Sequence, residues 1–223
     1  MRLESIVKNR YGSICLMNIE ADAVSDWDVS DATHVRVELP STIENLTQMQ
    51  QRGYQFVDRM LDVTINLKRM AMDFGKSIRI KPVLVNDRKE EIKELALRNF
   101  VRDRRFHVEV AYNDAVAKEI IDAWVDEISE FYVCLHKEAV IGFLALKESE
   151  NGKSAAIYLA AVDEKYRASG AALSLYANAV HVGMEKGYQS ITGYISSYNT
   201  AVMNLYAHLG GTFSTPRDIY LKK

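Results

Sequence analysis

The sequence is poor in residues that mark several large classes of protein. It has two cysteines, three prolines and eleven glycines among 223 residues. Cys15 and Cys134 lie far apart and have no Cys-x-x-Cys partner or histidine-rich companion, which favours two reduced thiols. We therefore expect a cytoplasmic protein without a disulfide framework and without a metal site.

Long apolar runs and a strong charge of one sign are also missing. No run approaches the ~18 apolar residues of a membrane-spanning helix, and the first thirteen residues lack the apolar centre of a signal peptide. The net charge is −2, without the basic excess of a nucleic-acid-binding protein. We expect neither a membrane nor a nucleic acid as partner.

Hydrophobic residues make up 48% of the chain, which is enough for a sizeable core. Residues 1–70 read as strand, strand, helix, strand, with Ser41 and Glu44 as a capping box at the helix start. We interpret them as a small N-terminal domain that shapes an acceptor site. Residues 77–223 follow the order β–α–α–β–β–β–α–β–α–β and form the second predicted domain.

The most informative stretch begins with the apolar run Ala155–Val162, which has the length of a buried strand. A short polar turn follows, and a helical pattern opens near Gly170. This geometry directs unpaired N–H groups and the positive end of the helix dipole at one point, where a phosphate fits. Gly170 permits close approach and Arg167 adds positive charge. An ordinary strand–turn–helix would show the same pattern.

A second signal comes from Asn199 and Tyr206, which lie seven residues apart on a predicted helix. They share a face and are separated by ~10 Å along the axis, so one ligand could touch both. A simple helix cap would also explain Asn199, and a core position would explain Tyr206.

Both signals resemble one known family. The pattern Arg167-x-x-Gly170-x-Ala172 resembles the (Q/R)-x-x-G-x-(G/A) loop of the GNAT superfamily of N-acetyltransferases. Asn199 and Tyr206 resemble its N-x-x-A-x-x-x-Y pattern, although Val202 holds the usual alanine position. The resemblance implies an α/β (α+β) fold, with a mixed, mostly antiparallel sheet and helices on both faces.

The resemblance implies acetyl-coenzyme A as co-substrate and a primary amine as acceptor. Tyr206 would be the general acid, since a phenol with a pKa near ~10 can protonate a departing thiolate. Backbone N–H groups near Leu159 and Ala161 would polarise the thioester carbonyl. The residues implied to contact the coenzyme are Leu159, Ala161, Arg167, Ala168, Ser169, Gly170, Ala171, Ala172, Asn199 and Tyr206.

The general base is not fixed by the sequence. Many relatives carry a glutamate on the central strand, but residues 155–161 contain no acid. Tyr158, Glu109, Asp114 and His107 are candidates, and water is another.

Several segments are similar to acetyltransferases of nucleotide-linked 4-amino sugars, such as dTDP-fucosamine acetyltransferase. They are residues 46–54, the run Arg105-Phe106-His107, Tyr112 and residues 117–125. An arginine–aromatic cluster could hold a diphosphate and stack on thymine, although a solvated basic loop is an equal explanation. The implied substrate contacts are Arg105, Phe106, His107, Tyr112 and Tyr158. A homodimer is compatible with the sequence.

Two alternatives remain beside the nucleotide-linked amino sugar. The acceptor could be another amine, such as a peptide N-terminus, a polyamine or an antibiotic. The chain could also be a non-catalytic acyl-coenzyme A-binding module, against which the presence of both Asn199 and Tyr206 argues.

Overall fold

Strands and helices alternate along the chain, and most of them meet in one sheet. The computed structural model describes residues 4–69, 78–100, 103–106 and 111–223. The strands are β1 (Ser5–Tyr11), β2 (Ile14–Glu20), β3 (His34–Pro40), β4 (Gln55–Asn66), β5 (Val83–Val85), β6 (Phe131–His136), β7 (Ala139–Glu148), β8 (Ser154–Val162), β9 (Ser190–Ser196), β10 (Thr212–Phe213) and β11 (Arg217–Lys222). The helices are α1 (Ile43–Gln51), α2 (Lys89–Phe100), α3 (Asp114–Asp126), α4 (Ala171–Glu185) and α5 (Thr200–His208).

The sheet is mixed and mostly antiparallel, so the predicted fold class is confirmed. Its order over the described residues is β1-β2-β3-β11-β4-β9-β8-β7-β6-β5, with β10 also beside β4. Only the neighbours β2 with β3 and β8 with β9 are parallel among these described strands. Parallel neighbours need a crossover connection, which α4 provides between β8 and β9.

Helices cover both faces of the β6–β9 region. On one face, α4 and α5 bury Leu175, Val180 and Tyr206 against β7, β8 and β9. On the other face, α2 and α3 bury Leu95 and Ile121 against β6 and β7. The sheet is thus closed from water on both sides in this region, and any opening through it has to be a break between strands.

The N-terminal strands belong to the same sheet as the rest of the chain. β11, from the C-terminal end, lies between β3 and β4. β4 in turn lies between β11 and β9. The boundary predicted near residue 70 therefore falls between strands of one sheet, and the first four strands are continuous with the others through backbone pairing.

Two local predictions change in detail. α1 is capped by Thr42, whose hydroxyl accepts the N–H of Asn45 at 3.1 Å, and not by Ser41. The Asn45 side chain also donates to the carbonyl of Pro40 at 2.9 Å, which fixes the start of the helix one residue later. The strand predicted around Pro82 is short and lies at the edge, as expected for a residue without an N–H donor.

None of the described helices is long and apolar enough to cross a membrane.

Candidate active site

The sheet opens between β8 and β9. The two strands pair in parallel up to Ile157 and Gly193, where their registered pairing ends. β8 then runs on to Val162 beside β7, and β9 runs on to Ser196 beside β4. A strand carries hydrogen-bonding groups on both edges. The second half of β8 therefore presents backbone N–H and C=O groups to the gap, where a ligand can bind them.

A cavity of about 820 Å³ reaches both faces of the sheet at this gap. This volume is in the range of pockets that bind small molecules. On the side of α4 and α5 the lining includes Tyr176, Asn199, Val202 and Tyr206. On the side of α2 and α3 the lining includes Phe106, Tyr112, Trp124, Glu127 and Tyr158.

Tyr206 lies at the edge of the gap, with its ring buried and 1% exposed. A Cβ atom on Gly193 would come within 2.0 Å of the Tyr206 hydroxyl oxygen, so the hydroxyl occupies space that only glycine leaves free. The hydroxyl shares a hydrogen bond with Tyr176, whose ring stands edge-on at 5.2 Å between centroids. Burial raises the pKa of Tyr206 well above that of an ordinary phenol, and Tyr176 adds to the rise. Tyr206 therefore keeps its proton and is a donor.

Asn199 caps α5 and lines the same cavity as Tyr206. Its side-chain oxygen accepts the N–H of Val202 at 3.2 Å, which is the ordinary role of an asparagine at this position. The capping bond uses only the oxygen, and the side chain is exposed. The amide nitrogen can therefore serve a ligand while the cap is kept.

The turn between β8 and α4 is a 3₁₀ helix, Glu164–Ser169, followed by Gly170. Gly170 has a φ of 86°, a conformation that strains residues with a side chain, so the turn itself requires glycine. The Ser169 hydroxyl accepts the N–H of Ala171 at 3.2 Å. The other first-turn N–H groups of α4 have no acceptor within the helix, and such an end favours an anion.

Residues 167–172 do not line the cavity but are joined to it by α4. Tyr176 lines the cavity and lies about 6 Å along the helix from Ala172. Arg167 and Ala168 are exposed on the turn, and the Arg167 guanidinium donates to the side-chain oxygen of Asn99 at 3.4 Å. An elongated ligand could extend from the turn to the gap along the first turns of α4.

Arg79 is a second arginine at this turn, which the sequence analysis missed. Its Cδ atom would lie 3.2 Å from a Cβ on Gly170, so its stem covers the glycine. Its backbone N–H and that of Ile80 donate to the buried Ser174 hydroxyl, at 3.0 and 3.2 Å. Arg79 and Gly170 are far apart in the sequence, and no spacing rule connects them. Together with Arg167, Arg79 increases the positive charge around the start of α4.

The predicted arginine–aromatic cluster forms one wall of the cavity. Phe106 packs against Tyr112 and Trp124, with centroid distances of 5.9 and 6.0 Å. Arg105 makes a bidentate pair with Asp103, with both distances 2.8 Å, and its guanidinium lies 5.4 Å from the Trp124 ring. Burial raises the pKa of Tyr112 to about 12. His107, predicted with them, lies outside the described residues.

The N-terminal strands supply a polar wall, which the sequence analysis did not identify. Asn18, Arg36 and Asp62 project into the cavity from β2, β3 and β4. Tyr194, from β9, also lines it and donates to Glu38, a contact that raises the pKa of Tyr194 after the larger effect of burial. No local pattern predicts this wall, because its members come from strands brought together only by the shared sheet.

Some of the predicted general bases and β8 contacts line the cavity, and others do not. Tyr158 and Leu159 line the cavity, while Ala161 packs beyond it on the side of α2 and α3. Asp114 is exposed at the start of α3, away from the cavity lining. Glu109 lies outside the described residues.

Comparison with models of known protein families assigns the chain to a family. The model of the acetyltransferase (GNAT) family matches residues 90–211, more than half of the chain. The chain belongs to the GNAT acetyltransferase family. No curated protein matches the sequence. The GNAT match begins in α2 and ends after α5, so it contains the gap, the turn and Tyr206.

Solved structures share the GNAT fold with this chain at low sequence identity. A functionally unknown conserved protein of Staphylococcus epidermidis has a TM-score of 0.66 and 13% identity, over 96% of this chain and 86% of the other. A GCN5-related N-acetyltransferase of Sphaerobacter thermophilus has a TM-score of 0.61 and 13% identity, over 98% and 75%. A GNAT-family acetyltransferase of Colwellia psychrerythraea has a TM-score of 0.54 and 14% identity, over 84% and 64%.

The first two likenesses extend beyond the region that the family model matches. They cover nearly the whole of this chain, including the N-terminal strands. At such identity they show the fold alone. The same arrangement of N-terminal strands beside a GNAT region therefore occurs in other proteins.

The residues at the gap and the turn are compatible with acetyl-coenzyme A. Gly170 permits the backbone conformation of the turn, and Arg79 and Arg167 would face the negative charge of a pyrophosphate. The open edge of β8 can hydrogen-bond an amide-bearing stem, as an added strand would. Gly193 makes room for the Tyr206 hydroxyl at the far end of this path. A glycine inside a strand pattern signals such a close approach, so Gly193 could have been found from the sequence.

Proposed function

We propose that the chain transfers an acetyl group from acetyl-coenzyme A to a primary amine. The observation that carries this proposal is the cavity at the β8–β9 gap, which Asn199 and Tyr206 line beside an open strand edge. The turn at residues 167–172 would bind the pyrophosphate, with Arg79 and Arg167 beside it. Acetyl-coenzyme A supplies the reactive thioester.

The backbone of β8 and the side chain of Tyr206 have separate roles in this mechanism. Backbone N–H groups on the free edge of β8 near Leu159 polarise the thioester carbonyl and stabilise the oxyanion that forms on attack. Tyr206 donates its proton to the departing thiolate. The raised pKa of Tyr206 does not prevent this transfer, because the burial that disfavours its phenolate also disfavours a thiolate formed beside it.

The acceptor in this proposal is a nucleotide-linked amino sugar. The aromatic wall of Phe106, Tyr112 and Trp124 offers faces on which a base or a sugar can stack. Arg105 lies beside this wall, although its guanidinium is already paired with Asp103. The strands within residues 1–70 would shape this acceptor site through the polar wall. A cytoplasmic location and a homodimer belong to the same proposal.

A thiol-release assay tests the activity and the acceptor together. Wild-type protein is incubated with acetyl-coenzyme A and a panel of dTDP-amino sugars, free amino sugars, peptides and polyamines. Release above the no-acceptor rate with the dTDP-amino sugars supports the full proposal. Release only with another amine would support acetyl transfer and exclude a nucleotide-linked acceptor. Coenzyme binding without thiol release across the panel supports a non-catalytic binding module instead.

The role of Tyr206 is tested by Tyr206→Phe, which keeps the ring and its packing. We expect turnover to fall on the order of 10²-fold, because the proton donor is lost, while calorimetry shows unchanged coenzyme affinity. Tyr198→Phe is the matched control, since Tyr198 is 53% exposed and precedes α5 by two residues. If Tyr206→Phe turns over as fast as Tyr198→Phe, Tyr206 is not the general acid.

A further inference from the structure

Glu127 places a carboxylate in the cavity beside β8, a strand that carries no acidic residue of its own. It directly follows α3 as the capping residue at its C-terminal end and lines the cavity beside Tyr158. The Tyr158 hydroxyl donates to Glu127 Oε2 at 2.7 Å. Lys147 Nζ lies 3.5 Å from the same oxygen and 4.7 Å from the centre of the Tyr158 ring. Two neighbours on β7 and β8 thus hold this carboxylate in place.

Both contacts of Glu127 fall on Oε2. In the described part of the chain, no hydrogen bond or ion pair is made by Oε1. The side chain is 51% exposed, so Oε1 can reach a ligand in the cavity. A carboxylate with one oxygen fixed and the other accessible is positioned to accept a proton.

The position of Tyr158 relates Glu127 to the reacting centre. Tyr158 directly follows Ile157, the residue that pairs with Gly193, against which the Tyr206 hydroxyl rests. β8 has a bulge at this point, because Leu146 pairs with Ile157 and Ala145 pairs with Leu159, which makes Tyr158 the extra residue. Ile157 packs with Tyr206 on the face of α4 and α5, and Tyr158 packs with Leu159 on the face of α2 and α3. Glu127 and Tyr206 therefore approach the gap from opposite faces.

We propose that Glu127 is the general base that deprotonates the acceptor amine, with Tyr158 and Lys147 as its positioning residues. This assignment rests on the proposed acetyl transfer. Tyr158 itself is unsuited as the base, because burial and its bond to Glu127 raise its pKa and keep the phenol neutral. It acts by directing the carboxylate.

Three other described carboxylates near the cavity, Asp103, Glu38 and Asp58, are held by cations or by burial. Asp103 is bound on both oxygens by Arg105. Glu38 is 4% exposed and is bound by Arg36 and Arg217. Asp58 is 1% exposed and does not line the cavity. Glu20 and Asp62 also line the cavity, from β2 and β4, whereas Glu127 is joined to β8 by its bond to Tyr158.

The protons and bonds balance without any further reactant. Glu127 Oε1 takes one proton from the ammonium form of the acceptor, and the neutral nitrogen attacks the thioester carbon. The C–N bond forms, the C–S bond breaks, and the sulfur takes the proton of Tyr206. The nitrogen loses a second proton, which replaces the one given up by Tyr206. The proton on Glu127 then leaves to solvent, so each turnover releases one proton.

The test is Glu127→Gln, with Asp126→Asn as the matched control. Asp126 is the neighbouring carboxylate, pairs with Lys93 at 2.8 Å and does not line the cavity. With the best acceptor of the panel, Glu127→Gln should lower kcat/KM by about 10²- to 10⁴-fold at neutral pH. Coenzyme affinity by calorimetry should stay that of wild type, and Asp126→Asn should keep the wild-type rate.

The pH profile separates a base from a structural residue. Without Glu127 the amine must lose its proton to water, so the variant's rate should rise with pH toward the pKa of the amine, about 10 for an alkylamine. Among the described residues, the titratable groups facing Glu127 are Tyr11 on β1, Lys147 on β7 and Tyr158 on β8. Tyr158→Phe keeps the carboxylate and should preserve the wild-type profile shape at a lower rate.

The outcomes for the base and for the function are distinguishable. Wild-type turnover with an equal rate for Glu127→Gln overturns the base and leaves acetyl transfer standing. A slow Glu127→Gln whose deficit is the same at every pH also overturns it. A wild-type chain that binds coenzyme but acetylates no amine overturns the proposed function and the base together.

Discussion

The hydroxyl of Tyr206 and the backbone of Gly193 occupy adjoining space at the gap, so a side chain at position 193 would collide with the hydroxyl. A methyl group on Gly193 would lie 2.0 Å from the hydroxyl oxygen and 2.7 Å from Cζ of the same ring. Real atoms cannot approach so closely, so the Tyr206 ring would have to move. The position of the proposed proton donor is thus set by the absence of a side chain on a neighbouring strand.

At the residue scale we predict that Gly193→Ala displaces Tyr206 and lowers stability. Overpacking a filled site costs about 1–3 kcal/mol, which corresponds to roughly 3–10 °C in Tm for a chain of this size. Turnover should fall at least as far as in Tyr206→Phe, because the hydroxyl leaves the gap. Thermal unfolding and the thiol-release assay measure both effects. A wild-type Tm would show that the ring has room to move.

At the scale of elements, β11 is held between β3 and β4 by charge as well as by backbone pairing. Arg217, the first residue of β11, donates to a side-chain oxygen of Glu38 on β3 at 3.1 Å and to the carbonyl of Ala21 at 2.7 Å. Its side chain is 10% exposed and that of Glu38 is 5% exposed. Breaking a buried pair leaves a desolvated charge behind, which is costly.

We predict that Arg217→Ala lowers the free energy of unfolding by about 3 kcal/mol. Chemical denaturation measures this loss. Lys8→Ala is the control, because Lys8 and Asp31 form a pair at 3.0 Å whose side chains are 47% and 75% exposed. Exposed pairs contribute little to stability, so the control should unfold near the wild-type midpoint. Equal losses for both variants would contradict the role given to burial.

At the scale of the whole molecule, the two ends of the chain are interlocked. The unit β3–α1–β4 encloses β11, and the unit β9–α5–β11 encloses β4. Each unit therefore contains a strand that belongs to the other in sequence. Neither end can leave the sheet without exposing paired backbone groups on the strands that it separates, and unpaired buried groups are expensive.

We predict that a chain starting at residue 78 does not fold. It lacks β4, so β9 and β11 both lose a neighbour and the sheet is cut between them. The expected result is a protein without a cooperative thermal transition. Deletion of residues 1–11 is the control, since it removes only β1, which pairs with β2 at the end of the sheet. A cooperative transition in the shorter chain would show that the C-terminal region is independent.

The sequence alone determined those features that rest on local spacing. The strand Ala155–Val162, the glycine turn after it and the shared helix face of Asn199 and Tyr206 follow from strand and helix periodicity. These periods are set by the backbone, so they can be read without knowing what packs nearby. The mixed sheet with helices on both faces was predicted from the order of the elements and the resemblance to the GNAT family.

Only the tertiary structure determined which distant residues contact the turn, the gap and the strands of the sheet. Arg79 at the turn, Glu127 beside Tyr158, and β4 and β11 exchanged between the ends of the chain are contacts between residues distant in sequence. Such contacts leave no period in the sequence, because a flexible chain can close loops of many lengths at similar entropic cost. Local spacing and the resemblance to the GNAT family therefore indicated where the coenzyme and its proton donor were expected, and only folding brought a carboxylate to the opposite face of the gap.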